Sequence, residues 1–267
     1  MYSVKTKISM KTQIKIAFAI VSIMMAFTSC FDGIIVEGNN EIAQETRTLP
    51  NFNEVTSSGS YRIFYQHGDS AKATIIGESN IIPYIETAVY NNKLDIRTAL
   101  HVSISTNKML EIYIESPEIE EIELSGSGSI ETDSVNGDEL SLSISGSGDI
   151  ISTFVGNEFT SSISGSGSMD IYTECTTAET SISGSGKINI EGLATDADFS
   201  IIGSGKIKAY DFAVKNAEVE ISGSGDAYIN AAEMLKGYIS GSGNIYYIGH
   251  PSIDLNDLGS GRLVNDN

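Results

Sequence analysis

The protein has 267 residues, with 16 Lys or Arg against 35 Asp or Glu, and its formal net charge is −19. Such an acidic chain repels phosphate backbones, which argues against nucleic acid as a partner. Hydrophobic residues make up 40% of the chain, enough for a packed core and too many for a disordered acidic tail. The two cysteines, Cys30 and Cys175, cannot build a disulfide framework or a thiolate zinc site.

Residues 1–29 have the features of an export signal. Residues 1–15 contain four lysines and no Asp or Glu. An apolar run follows over residues 16–27, interrupted only by Ser22. A basic start, a short apolar segment and small residues before a cleavage point are typical of a secretory signal, and the run is too short to span a bilayer. Translation from Met1 and translation from Met10 both give such a signal.

Cys30 directly follows Thr28 and Ser29, as in the lipobox of bacterial lipoproteins. We therefore expect Cys30 to be the first mature residue and to carry the lipid of an outer-membrane lipoprotein; the alternative is a plain secretory signal with a chance cysteine. Cleavage removes four Lys, so the mature net charge becomes −23. Residues 30–50 are polar without a clear period and are predicted to be a tether.

A repeat dominates the rest of the chain. The triplet Gly-Ser-Gly occurs eight times, at intervals of 18 to 20 residues. A glycine-serine linker has no such period. Its central serines are Ser127, Ser147, Ser166, Ser185, Ser204, Ser224, Ser242 and Ser260. Apolar residues recur three positions before and three positions after these serines, as Ile182 and Ile188 do around Ser185. Two apolar columns of this kind predict stacked coils.

The fold class follows from the period and the residue types. Helical repeats are longer, and the flanking residues alternate apolar and polar, as strands do. We predict an all-β fold, a parallel β-helix or single-stranded β-solenoid with coils of about 19 residues and a rise of about 4.8 Å per coil. The −3 and +3 columns and the glycines are predicted to face inward, whereas the serines at 0 and −2 face outward. The +2 column, which includes Lys187, Lys206 and Asp226, is interpreted as a solvated face.

Residues 51–123 lack the triplet but retain strand patterns, and are predicted to form the N-terminal coils of a domain that spans 51–267. The triplet coils cover 124–263, and a polar last coil is expected to cap the rod. Predicted strands before the triplets are YRIFYQ, KATIIG, YIETAVY, KLDIRT and KMLEIYIE.

The segment from Leu49 to Thr98, followed by EEIELSGSGSI and repeated SISGSG units, resembles the auto-transporter adhesin head GIN domain family. The resemblance covers about residues 50–265. It implies a right-handed parallel β-helix on an exported protein of Bacteroidetes, often a lipoprotein. It brings no catalytic residues with it.

Catalytic and metal-binding patterns are weak. His67, His101 and His250 share no metal spacing, and Arg47, Arg62, Arg97 and Arg262 are expected in different coils. Polysaccharide cleavage needs a base and a group that stabilises developing charge, and no such cluster is visible. Paired carboxylates for glycoside hydrolysis stay open as an alternative, since 35 acids include some pair at any distance.

Ligand patterns are also weak. Asp follows the triplet only at Asp149 and Asp226, and the period does not match the nine-residue repeat of calcium-binding β-rolls. Tyr246 and Tyr247 are adjacent, so one should face inward and one outward, and strand packing is the favoured interpretation over sugar binding. Cys175 is expected to be a buried or half-buried free thiol.

Taken together, the sequence predicts a non-enzymatic, exported, lipid-anchored β-helix without a cofactor or metal, whose role is that of a surface adhesin or interaction module. A glycan or a protein is the expected class of surface ligand. The alternative function is a polysaccharide lyase or glycoside hydrolase on the same scaffold. Both the outer and the periplasmic face of the outer membrane fit the pattern.

Overall fold

A computed structural model describes residues 33–257 and 259–267. The predicted signal at 1–29 and the lipid-bearing Cys30 therefore lie outside the described residues. Apart from one 3-10 helix at Ile82–Tyr84, the regular elements of the described chain are strands. Before the first Gly-Ser-Gly triplet they are β1 (Ile34–Glu37), β2 (Ile42–Thr48), β3 (Glu54–Gly59), β4 (Arg62–His67), β5 (Lys72–Glu78), β6 (Ile85–Tyr90), β7 (Lys93–Thr98), β8 (Val102–Ser105), β9 (Glu111–Ser116) and β10 (Glu121–Gly126).

The remaining strands belong to the triplet coils. They are β11 (Ser129–Asn136), β12 (Glu139–Gly146), β13 (Asp149–Val155), β14 (Glu158–Gly165), β15 (Ser168–Glu174), β16 (Thr177–Gly184), β17 (Lys187–Gly203), β18 (Lys206–Gly223), β19 (Asp226–Gly241), β20 (Asn244–Ile248), β21 (Ser252–Asp257) and β22 (Arg262–Asn265). All five strands predicted before the triplets are confirmed as β4, β5, β6, β7 and β9.

The coils stack as a β-solenoid with two parallel ladders. One ladder, here the leading ladder, consists of the strand segments that enter each triplet and runs from β7 through β3, β10 and β12 to β21. The other, the trailing ladder, consists of the segments that leave each triplet and runs from β9 through β4 and β11 to β22. Strands β17, β18 and β19 are long enough to contribute to both ladders. The predicted parallel solenoid is confirmed.

The two inner columns form the core, as predicted. The −3 column is at most 1% exposed from Leu124 to Ile239, and the +3 column is equally buried from Ile130 to Ile245, with Leu263 partly buried at the end. The central serines of all eight triplets are exposed, as are those at −2 apart from the half-buried Ser125. Tyr247 is buried and Tyr246 is half-buried, which confirms the predicted inward and outward pair.

The triplet glycines serve two different purposes. Gly165, before the central serine, has φ +134°, and an added Cβ would stand 2.3 Å from the carbonyl oxygen of Gly146 in the preceding coil. Gly167, after the serine, is buried, and its Cβ would stand 2.6 Å from the Gly148 carbonyl oxygen and 2.8 Å from a methyl group of Ile144. The first glycine permits the bend, and the second leaves room for the −3 side chain of the coil before it. Only the second glycine points into the core, so the inward prediction holds for one of the two.

A degenerate copy of the triplet precedes the first Gly-Ser-Gly. Gly59 pairs with Gly126 in register, and Ser129 donates its backbone N–H to the carbonyl oxygen of Tyr61, 2.9 Å away. Tyr61 therefore occupies the position of the second glycine. Its ring is buried, and its hydroxyl bonds with that of Thr98 at 2.5 Å.

The N-terminal end of the solenoid is covered by antiparallel strands. β6 pairs antiparallel with β7, β5 pairs antiparallel with β9, and β2 pairs antiparallel with β5 along its whole length. The predicted tether is thus wrong for residues 42–48, and residues 51–123 are not simply further coils. Because β2 pairs with β5, it satisfies the backbone groups that β5 would otherwise expose at the edge of the sheet.

The C-terminal coil continues both ladders without a change of direction. Asn267 bonds the backbone of Gly249 twice, at 2.8 and 2.9 Å, which fixes the polar chain end. On β21, however, Ile253 and Leu255 are 43% and 40% exposed. The last coil is therefore less polar than the predicted cap.

Candidate ligand-binding face

The residues singled out in the sequence for catalysis or metal binding do not converge. His67 ends β4, His101 follows β7 and His250 follows β20, and all three are exposed. Arg47 donates to the carbonyl oxygen of Ile85 at 2.5 Å, so it ties β2 to its neighbours. In the described part of the chain, no group of three His, Cys, Asp or Glu is placed to hold a metal ion.

The remaining arginines are also separate. Arg62 lies 4.0 Å from Glu111, and Arg97 pairs with Glu86 and Asp95 at 2.9 and 3.2 Å. Arg262, in the last coil, is exposed. These contacts hold local structure, and no arginine cluster forms within the described residues.

Cys175 is a free, buried thiol, as expected, and burial raises the pKa of this thiol. A thiol held in its neutral form is a poor nucleophile.

None of the helical segments in residues 33–257 and 259–267 has the length and apolar character needed to cross a membrane.

The structure does bring together a set of tyrosines and lysines that the sequence reasoning missed. Lys208, Tyr228 and Tyr246 lie in register on successive strands of the trailing ladder, four positions after their serines. The rings of Tyr228 and Tyr246 stack with centroids 4.8 Å apart and planes 8° apart, and Tyr210 meets Tyr228 edge-on at 5.4 Å. We call Lys206, Lys208, Tyr210, Tyr228 and Tyr246 the tyrosine–lysine face.

Hydrogen bonds fix this face. Lys206 Nζ lies 3.3 Å from Asp226 Oδ2, 3.5 Å from the Tyr228 hydroxyl and 5.4 Å from the centre of that ring. The Tyr210 hydroxyl donates to Asp266 Oδ2 at 2.8 Å. Desolvation lowers the pKa of Lys206, but its bonds to Asp226 and Tyr228 outweigh this and raise the pKa overall. Lys206 therefore stays charged. The sequence predicts only a solvated face for its column, whereas Lys206 is paired with Asp226.

A surface groove of about 460 Å³ opens beside the tyrosine–lysine face. Asp170 and Asn189, which line the groove, precede Lys208 in the same column and have shorter side chains than Lys208 and Tyr228, which follow. Asn189 donates its amide to Asp170. The volume is within the range of about 300–1,000 Å³ typical of small-molecule sites. The lining residues are Asp170, Asn189, Ile190, Glu191, Lys206, Lys208, Tyr210, Asp211 and Tyr228.

The groove offers both hydrogen-bond donors and acceptors. Lys208 is exposed and forms no salt bridge within the described chain, so its ammonium is available. Asp170, Glu191 and Asp211 are exposed carboxylates on the other sides. Buried Ile190 forms part of the floor. A polar ligand that both donates and accepts would find partners here.

The same columns carry a second aromatic pair near the N-terminal end. Phe64 stacks on Tyr113 with centroids 4.8 Å apart, and the Arg62 guanidinium lies 5.9 Å from the centre of the Phe64 ring. Register pairs place Phe64 in the column of Tyr228, six coils earlier. At about 4.8 Å per coil the two pairs are about 29 Å apart. One face of the rod thus holds a cation beside stacked rings at two places.

The stacked coils place this protein in the class of solenoid repeat proteins, which present extended surfaces to their ligands. Residues 51–251 match the family described as "Putative auto-transporter adhesin, head GIN domain", and the chain belongs to that family. The resemblance predicted from the triplet pattern is confirmed. No protein with a curated function matches the chain.

Several solved structures share the fold. A "putative adhesin" from Parabacteroides merdae ATCC 43184 is 25% identical, with a TM-score of 0.82, over 87% of this chain and 100% of that one. A "putative lipid binding protein" from Parabacteroides distasonis ATCC 8503 is 25% identical, with a TM-score of 0.79, over 86% and 100%. A "putative adhesin" from the same organism is 24% identical, with a TM-score of 0.82, over 86% of this chain and 98% of that one; at this identity the likeness supports the fold only. These relatives are named as adhesins or lipid-binding proteins, not as enzymes.

Proposed function

We propose that this protein is an exported, lipid-anchored adhesin of the cell envelope, which binds its ligand without chemical turnover. The observation that carries the proposal is the tyrosine–lysine face with its groove, on a rod whose inner columns repeat regularly. Membership of the adhesin head family supports the same function. In this proposal Cys30 supplies the anchor in outer-membrane lipid, and the solenoid carries the binding face.

Binding rather than catalysis fits the arrangement of the groove. An enzyme would need a proton donor or acceptor beside a group that stabilises developing charge, with pKa values suited to proton transfer. Here the interactions of Lys206 strengthen its charged form, and burial together with the bond to Asp266 raises the pKa of Tyr210. Lys206 therefore stays charged and Tyr210 stays protonated at neutral pH, so both can hold a ligand but neither is a good proton acceptor.

The experiment uses cells that produce the full chain. External protease on intact cells should digest it, and cells lacking it should adhere less to a surface coated with polysaccharide or glycoprotein. Soluble full-length protein with Cys30→Ala should compete for the same surface. Resistance to protease on intact cells, together with unchanged adhesion after deletion, would overturn the proposal.

The alternative, a polysaccharide lyase or hydrolase, is tested with the same protein. It is incubated with a panel of plant, host and bacterial polysaccharides, with and without Ca²⁺. No new reducing ends or unsaturated products are expected. Turnover of any one polymer that is lost in the Asp170→Asn or Glu191→Gln variant would replace the adhesin with an enzyme.

A further inference from the structure

We infer that the groove beside the tyrosine–lysine face is a subsite for an uncharged polysaccharide. This inference rests on the proposed function of a binding module and names its ligand class. Every hydroxyl of a sugar both donates and accepts a hydrogen bond. The groove offers a matching mixture, with the ammonium of Lys208 and the amide of Asn189 close to the carboxylates of Asp170 and Glu191.

The tyrosines supply the apolar part of the site. Tyr210 and Tyr228 meet at 86°, so together they form a corner at one side of the groove. The faces of aromatic rings are electron-rich and attract the C–H groups of an apolar surface. A pyranose ring has such C–H groups on its faces and hydroxyls at its edge. The corner and the polar groups therefore fit different parts of one sugar ring.

Charge selects an uncharged sugar over an acidic one. The groove contains two lysines, and Lys206 is already paired with Asp226 at 3.3 Å. Asp170, Glu191 and Asp211 bring three more carboxylates. The whole chain carries a net charge of −19, so a polyanion would be repelled both locally and at long range. This excludes uronic acid polymers and sulfated glycans as the preferred ligands.

The second aromatic pair indicates a polymer rather than a short sugar. Phe64 lies on the same face about 29 Å from Tyr228, with Tyr113 one coil further and Arg62 beside Phe64. A chain that reaches both places gains from the linked contacts, whereas a short oligosaccharide can occupy only one. Substitution of Phe64 should therefore weaken polymer binding and leave binding of a short oligosaccharide unchanged.

The test is affinity electrophoresis and calorimetry of the full chain with Cys30→Ala. Uncharged probes are laminarin, yeast mannan, galactomannan and dextran; acidic probes are polygalacturonate, alginate and heparin. At least one uncharged polymer should bind, and Tyr228→Ala and Lys208→Ala should each weaken that binding about tenfold or more. Tyr238→Ala, an exposed tyrosine on the leading ladder, should change it less than about twofold.

The Phe64→Ala variant is measured with the binding polymer and with its tetrasaccharide. Thermal melting of every variant separates loss of binding from loss of folding. Binding only to acidic polymers, or equal effects of Tyr228→Ala and Tyr238→Ala, would overturn the inference. If cells still adhere through the protein while no uncharged probe binds, the ligand class is wrong but the adhesin function stands. If no uncharged probe binds and the protein makes no difference to cell adhesion, both the ligand class and the adhesin function are wrong.

Discussion

The rings of Tyr228 and Tyr246 stack at 4.8 Å, with their planes 8° apart. This spacing equals the distance between neighbouring strands of a sheet, so the solenoid itself sets the separation of the rings. One coil of the chain lies between them, and their Cα atoms pair in register. An aromatic face is thus produced by placing tyrosine at the same position of successive coils.

The first prediction concerns the bend at the triplet. Gly165→Ala should lower the free energy of unfolding by about 1–3 kcal/mol, because φ is +134° and the Cβ would stand 2.3 Å from the Gly146 carbonyl oxygen. Gly137→Ala is the matched control, since its Cβ would meet no atom closer than 3.8 Å. Urea unfolding measures both. Equal stability of the two variants would show that the bend does not require glycine.

The second prediction concerns the core column. Ile182→Asp places a carboxylate without a partner where the native side chain is 1% exposed, so we expect a loss of about 4 kcal/mol or more, or failure to fold. Asp226→Ser removes a partly exposed ion pair with Lys206 and the hydrogen bond that Asn244 donates, and should cost about 1–2 kcal/mol. Thermal melting followed by circular dichroism compares them. Similar melting temperatures would contradict the assigned inward and outward faces.

The third prediction concerns pH. Asp198 pairs in register with Glu179 on one side and with Glu218 on the other. Desolvation, and then repulsion from Glu218 and Glu179, raise the pKa of Asp198. A carboxyl whose folded pKa is raised destabilises the fold when it is ionised, and this effect disappears as pH falls through that pKa.

Asp198→Asn should therefore raise the melting temperature at neutral pH, and the difference should vanish in acid. Asp254→Asn, at an exposed position of the last coil, is the control and should change little at either pH. A lower melting temperature for Asp198→Asn at neutral pH would mean that the ionised carboxylate stabilises the column.

The fourth prediction concerns the anchor. Cys30→Ala should release the protein from the membrane fraction of producing cells, because the chain would lose its acylation site. Mass spectrometry of the wild-type N-terminus should find a diacylglyceryl group on Cys30. Retention of the variant in membranes after a carbonate wash would exclude lipid at Cys30 as the anchor.

Much of the fold could be predicted from the sequence, because a repeat reveals its own register. The spacing of 18 to 20 residues and the apolar residues around each triplet determine the coil and its inner face. The N-terminal end could not be predicted in this way. Whether β2 and β5 join the stack in parallel or cover it antiparallel depends on pairing between distant segments, and alternation of side chains is the same in both cases.

The candidate site was missed for a related reason. The sequence places Tyr246 beside Tyr247 along the strand, whereas in the solenoid its column neighbours are Tyr228 in the adjacent coil and Lys208 one coil further. Alignment of the fourth position after each serine would have shown this column. The same cross-coil relation explains Asn216 and Asn244, which donate to Asp196 and Asp226 of the preceding coil at 2.8 and 3.2 Å. Such amides keep carboxylates from stacking directly on one another.

The central claim is that the tyrosine–lysine face is the adhesive surface. Adhesion is measured with cells that display the wild type, the double variant Tyr228→Ala/Lys208→Ala, or the control Tyr238→Ala. Release of the folded rod from intact cells by protease verifies that the three proteins are displayed at equal levels. The account predicts that the double variant adheres no better than cells without the protein, while the control adheres like the wild type. Wild-type adhesion by a folded, equally displayed double variant would contradict it.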